Sequence, residues 1–243
     1  METKEVGLPA FNTGDKATHE ELTLERLFPL QSGRRWMYKY KETKFSYYYN
    51  RIMSEFSTME TWDVEESLSS QSKYILIKHD HLNKPSINYS KKAYIVIGNN
   101  SSGLFWTGLK DEYKSSEHLF DGKLLIYPLE VNSSWKTDMP FYGSDFYIKL
   151  SGTNKVSTVS DIVETPAGNF PHCVRIDFTV TERLNVTGTG LSDVSGVINY
   201  WYTPDIGIVK TRLFIKVESI DDNTINESSE VTRILEGYWR IKK

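Results

Sequence analysis

The run His172–Glu182, HCVRIDFTVTE, alternates with period two and constrains this chain more than any other segment. Val174, Ile176, Phe178 and Val180 fall on one side, and Arg175, Asp177, Thr179 and Thr181 on the other. That spacing sends successive side chains to opposite faces of a sheet, and it cannot sit on a helix without scattering the apolar set. A slip of one residue would exchange the two faces, so burial of one face fixes the register. The same pattern recurs from Trp36 onward, at Arg35–Tyr40, Phe45–Phe56, Thr58–Val64, Lys73–His79, Lys92–Ile97, Lys123–Tyr127, Phe146–Ser151, Ser157–Thr165, Val197–Thr203, Ile208–Glu218 and Glu230–Ile241. With 6 Trp, 15 Tyr and 11 Phe in 243 residues, the aromatic content favours cross-strand pairing. Only Glu20–Arg26 has the makings of a helical turn. The expectation is an all-β fold with little helix, an antiparallel meander of about twelve strands forming a curved sheet, half-barrel or sandwich.

Turn chemistry agrees with antiparallel neighbours. Pro166 and Gly168 in TPAGNF, and Pro204 and Gly207 in TPDIG, supply the fixed and the positive φ of tight connections. A longer-range signal lies above these. Phe28-Pro29-Leu30 with Trp36 is echoed 99 residues later by Tyr127-Pro128-Leu129 with Trp135, at the same Pro-to-Trp spacing of seven. This reads as a structural repeat, each copy leading into one half of the fold. The domain reading is a polar lead over 1–26 and one β domain over 27–243, with 27–122 and 123–243 as its two related halves. Residues 1–26 hold six acids and three bases, so the remaining 217 residues are neutral overall. A neutral body argues against nucleic acid, whose phosphates call for a concentrated basic surface. Lys73, Lys78, Lys91 and Lys92 are interleaved with apolar positions and read as solvated strand faces. No stretch approaches the roughly 18 apolar residues of a membrane helix. METKEVGLPAFNTGD has no basic and apolar succession, so no signal peptide is expected within this chain.

Four segments together, FPLQSGRRWMYKY, YPLEVNSSW, VETPAGNFPHCVRI and YWYTPDIGIVK, resemble a bacterial family of secreted or lipid-anchored β proteins of unassigned function. That family shows a Pro-Leu-x-x-Gly-x-x-Trp lead-in, a Thr-Pro-Ala-Gly-x-Phe turn and a Tyr-x-Pro-x-x-Gly-x-Val-Lys hairpin. The likeness spans about residues 27–217. Asn132 departs from it, standing where the second lead-in would carry the counterpart of Gly33. The resemblance implies an extracytoplasmic location, in the envelope or secreted, and brings no catalytic residues with it.

Signatures of chemistry are few. One cysteine, Cys173, excludes an internal disulfide framework and any zinc ribbon. It lies beside His172, but strand neighbours point to opposite faces, so a buried structural thiol is expected. His79 and His81 share a strand face and could offer two imidazoles to a metal, with Glu117 or His118 as a third ligand. A strand end running into HDHLNKPS is the better account of them, as exposed polar residues. GNNSSG lacks the spacing of a nucleophile elbow and reads as a turn. GTGLSDVSG lacks a phosphate-cradling pattern and reads as a mobile strand connection. In DDNTINESSE the central glycine and the terminal glutamate of a calcium loop fall out of place. No cofactor, catalytic residue or metal ligand is assigned, and the chain is read as a non-enzyme.

The aromatic positions Tyr47, Tyr49, Trp62, Trp106, Trp201 and Tyr202 are the candidate binding surface, because clustered rings give affinity at small entropic cost. Core packing and cross-strand pairing are the competing account of the same residues. The expected function is binding of an apolar small molecule or lipid, or of an envelope protein. A structural subunit of a surface assembly and a metal-assisted hydrolase using His79 and His81 are the alternatives.

Overall fold

The computed structural model describes residues 22–65, 73–81, 90–100, 103–111, 117–142, 147–186, 189–222 and 225–240. One short helix, α1 (Leu24–Leu27), precedes twelve strands. These are β1 (Arg34–Ser46), β2 (Arg51–Glu65), β3 (Lys73–His81), β4 (Ser90–Asn100), β5 (Gly103–Asp111), β6 (Glu117–Ile126), β7 (Ser134–Tyr142), β8 (Tyr147–Thr165), β9 (Gly168–Val186), β10 (Gly190–Thr203), β11 (Gly207–Ser219) and β12 (Asn226–Arg240). All twelve lie in one antiparallel sheet, in the order β6-β5-β4-β3-β2-β1-β12-β11-β10-β9-β8-β7. The expected all-β meander is therefore the fold, in its curved, open form and not as a sandwich of two sheets.

The order has a simple logic. Every neighbour is the next strand along the chain except at the centre, where β1 pairs with β12 from Arg34↔Arg240 to Ser46↔Glu227. The two edges, β6 and β7, are also consecutive, joined by only residues 127–133. A link of seven residues reaches at most about 25 Å, so the sheet must curl until its edges approach. They meet through side chains. The Trp135 indole donates to the Lys123 carbonyl at 2.8 Å, and the Asn154 amide donates to the same oxygen at 3.0 Å.

Both copies of the repeated segment build the same turn. Gly33 has φ 80° and Asn132, its counterpart 99 residues on, has φ 72°, so the departure from glycine keeps the left-handed backbone that Asn tolerates best. The Gly33 N–H donates to Val64 on β2, and the Asn132 N–H donates to Val156 on β8. Arg34 N–H to Gln31 C=O is matched by Ser133 N–H to Glu130 C=O. Leu30 and Leu129 are buried, as are Trp36 and Trp135. The copies open β1 and β7. Strand β6 runs through the division expected at 122/123, and the halves meet instead in the 127–133 link.

The core lies on the face that carries Trp36 and Tyr38 of β1, Val174, Ile176, Phe178 and Val180 of β9, and Leu235 of β12. Residues 22–30 cover one end of it. Leu22, Leu24, Leu27, Phe28 and Leu30 are all buried, and Arg26 holds Asp205 of the β10–β11 turn through two hydrogen bonds of 3.0 and 2.5 Å. The polar lead expected over 1–26 thus ends earlier, because the apolar spacing of Leu22, Leu24 and Leu27 docks this stretch onto the sheet.

Other boundaries also differ. Phe45–Phe56, expected as one strand, is a hairpin whose turn occupies Tyr47–Asn50. Strands β5 and β7 were not expected, and β10 begins at Gly190, inside the segment read as a mobile connection. Pro140 within β7 is tolerated because β7 is an edge.

Trp36 is 1% exposed, lies 5.9 Å from the Phe28 ring and donates its indole N–H to the Ile206 carbonyl. Trp36→Ala is expected to lower the unfolding free energy by about 3–5 kcal/mol in urea denaturation.

Candidate functional site

The largest apolar exposure gathers on one hairpin. Tyr47, Tyr48, Tyr49, Ile52, Met53 and Phe56, at the β1–β2 turn and the start of β2, range from 37% to 57% exposed. They are six of the eleven exposed large hydrophobic residues among those described. The turn closes through Asn50 at φ 49°, and its rings brace one another, with Phe45 and Tyr47 5.0 Å apart and Tyr48 and Tyr49 4.9 Å apart. Two cations lie on the rings, Arg51 over Tyr49 at 5.3 Å and Lys216 over Tyr47 at 5.2 Å. Residues 51–57 are exposed on both faces of β2. Among the described residues β3 pairs with β2 from Met59 onward, and the stretch before it carries a bulge at Met53. Of the expected binding residues Tyr47 and Tyr49 are thus exposed here, and Tyr48, Ile52, Met53 and Phe56 join them. The sequence run had hidden these partners because a turn without Gly or Pro was read as continuous strand.

The remaining candidates separate from that surface. Tyr202 is 1% exposed, packed between Phe28 and Tyr200, so it belongs to the core and not to a free aromatic face. Trp62 is half-buried, 5.1 Å from the Tyr38 ring, with its indole N–H toward Glu60 at 3.4 Å. Trp201 lies on the opposite face of β10 from Tyr200 and Tyr202. It is 9% exposed, donates to Asp161 at 2.7 Å and is flanked by Arg175 at 5.5 Å and Lys210 at 5.1 Å. Trp106 is on β5, with its side chain outside the described residues, as are those of His79 and His81 on β3. Among the described residues no cluster of metal-ligating side chains forms.

A buried charged pair sits on the core face. Glu60 is 1% exposed and accepts from Arg233 at 2.7 and 3.4 Å, while Arg233 lies over the Tyr40 ring at 5.0 Å. The Tyr40 hydroxyl donates to Glu42 at 3.1 Å, and the Tyr38 hydroxyl to the Ile208 carbonyl at 2.9 Å. Burial first, then the Glu60 charge, pushes the Tyr38 hydroxyl well above its ordinary pKa, against the pull of Arg233. Such a pair adds little net stability, but breaking it strands a buried charge. Arg233→Leu is expected to cost about 3–5 kcal/mol, and the joint Glu60→Leu, Arg233→Leu variant to recover most of it in thermal unfolding.

The face away from the core carries an ordered polar network. Asp177 accepts from Arg175 at 2.8 and 3.0 Å, from Ser157 at 2.5 Å and from Asn199 at 2.6 Å. Burial alone would raise its pKa, but those hydrogen bonds outweigh burial and hold it below the ordinary 3.8. A depressed carboxylate contributes stability that is complete above its unfolded pKa and is lost as pH falls through the lower folded value. Asp177→Asn is therefore expected to flatten the acid limb of the stability curve below about pH 4, read as unfolding midpoint against pH. Cys173 is fully buried as expected, and burial pushes its thiol up to about 12, against a hydrogen bond from Thr203. It is an inert core residue. In the acidic loop Asp221 accepts from the Leu191 N–H, a structural role.

Comparison with solved structures finds a Bacteroides fragilis protein with a YmcC-like fold, described as a candidate exported protein. It is 14% identical, with a TM-score of 0.50 over 88% of this chain and 99% of that one. The chain shares that fold. A candidate lipoprotein from Parabacteroides distasonis is 13% identical, with a TM-score of 0.44 over 88% of this chain and 98% of that one. No protein-family model and no curated protein matches.

Proposed function

We propose that this chain is a non-enzymatic, extracytoplasmic binding protein that engages an envelope protein through the end of its β1–β2 hairpin. The observation that carries the reading is the concentration of six exposed large apolar side chains, Tyr47 to Phe56, on the end of one hairpin. Isolated apolar residues on a surface need no explanation, but six gathered at one hairpin end, with Lys44, Arg51 and Glu55 beside them in the chain, have the make-up of an interface with polar surroundings. Residues 51–57 are exposed on both faces of their strand, which suits docking against a partner better than enclosing a small apolar molecule. Location outside the cytoplasm rests on the resemblance of the lead-in, turn and hairpin motifs to secreted and lipid-anchored proteins, and the fold match to a candidate exported protein supports it.

The rings at the tip support little of the core, so they can be removed without unfolding the sheet. Tyr47→Ala with Tyr49→Ala is expected to leave the thermal midpoint within a few degrees of the parent while weakening association with the native envelope partner by tenfold or more, roughly the loss of two interface anchors. Quantitative cross-linking in the source cells, with the partner identified by mass spectrometry, reads the association. Equal loss of stability and association would reassign these rings to the core.

A further inference from the structure

Side chains directly opposite each other on neighbouring strands form rows across the face away from the core. One row runs Arg175, Trp201, Lys210, Ile234, Lys39, from β9 through β10, β11 and β12 to β1. The next, two residues along each strand, runs Lys155, Asp177, Asn199, Arg212, Thr232, Lys41. Together they hold six cations and one carboxylate. Three of the cations are committed, Arg175 to Asp177, Arg212 to Glu230 at 2.8 Å and Lys41 to Glu55 at 3.0 Å. Lys39, Lys155 and Lys210 make no ion pair among the described residues. With strands about 4.8 Å apart, Arg175, Lys210 and Lys39 recur at about 10 Å. Outside its first 26 residues the chain is neutral overall, so this band is local segregation of charge and not a general excess.

We propose that this face is a docking surface for an anionic lipid bilayer. Its charge is complementary to phosphate headgroups, and its breadth of several strands sets lysines at spacings comparable to the Debye length, so they act together. The alternative anionic partners are less well served. A sugar or a base would need an open ring to stack on, and the one aromatic residue in the two rows, Trp201, is covered by Arg175 and Lys210 with its N–H committed to Asp161. The surface is distinct from the β1–β2 hairpin end, and its role does not depend on what the hairpin binds.

The test is co-sedimentation of the full chain with vesicles of phosphatidylcholine alone and with about one-third phosphatidylglycerol, at low and high salt. Binding is expected only to the anionic vesicles and should fall steeply with added salt. The triple variant Lys39→Glu, Lys155→Glu, Lys210→Glu should lose binding by about tenfold or more, and the triple Lys→Ala variant by less, both with unchanged circular dichroism. Tyr47→Ala with Tyr49→Ala should bind the vesicles as the parent does. Absence of binding to anionic vesicles, or binding that the charge reversal leaves intact, overturns the proposal. So does binding of a soluble acidic polysaccharide that is abolished by the same triple variant while vesicles are ignored.

Discussion

The pairing of β1 with β12 holds the molecule together. Without it the sheet would divide into two six-stranded meanders, β1 to β6 and β7 to β12. The pair brings residues 34–46 against 227–240, so it closes a loop of almost the whole chain. The entropy of that closure grows only slowly with loop length, and it is offset where it is incurred. Trp36 and Tyr38 on β1, and Leu235 on β12, turn to the same face and are all buried there. A bulge between Met37 and Tyr38 accommodates one extra residue of β12, so register is re-set within the part of the pair that buries the most surface. Non-local pairing of this kind makes folding slow and leaves both meanders with open edges until the ends of the chain meet.

The repeated lead-in turn explains why one junction closes and its counterpart does not. Both copies place a left-handed residue, Gly33 or Asn132, ahead of a strand whose tryptophan reaches a main-chain carbonyl. At the first copy that carbonyl belongs to Ile206, in a turn, and β1 keeps both its edges free to pair with β2 and β12. At the second copy it belongs to Lys123 in β6, the strand β7 would have to pair with. The Trp135 indole and the Asn154 amide together occupy the acceptor that a β7 backbone N–H would otherwise need. The curled sheet is pinned at its seam by side chains in place of a ladder.

The sequence disclosed strands more readily than the places where strands stop. The β9 alternation is correct residue by residue, because Val174, Ile176, Phe178 and Val180 are all in the core and the intervening side chains are not. The same rule misled at Phe45–Phe56. Serine, tyrosine, isoleucine and methionine all suit a strand, and the one turn signal, Asn50, is a single residue at positive φ. Strand β5 was lost for the opposite reason, since Gly103 and Gly108 break its apolar pattern. For the candidate site, the tyrosines were visible as a composition anomaly, but the distinction between Tyr49 at the surface and Tyr202 in the core depends on which elements cover them. Alternation gives relative faces only. It sets Tyr202 opposite Trp201, yet nothing local says that residues 22–30 fold back over the Tyr202 side.

That covering segment also fixes where the functional surfaces can be. Strand β1 starts beside residues 22–30 and ends at the Tyr47–Asn50 turn, and its 13 residues span about 40 Å. The end with Leu22 is filled by leucines and clamped by Arg26 on Asp205. Among the described residues nothing covers the opposite end in this way, and Tyr47, Tyr48, Tyr49, Ile52, Met53 and Phe56 are exposed there. The cationic rows run at right angles to this axis, across the strands and along the side of the molecule. A partner at the hairpin and a surface along the side could thus be engaged at once without steric conflict, since one contact is made end-on and the other face-on.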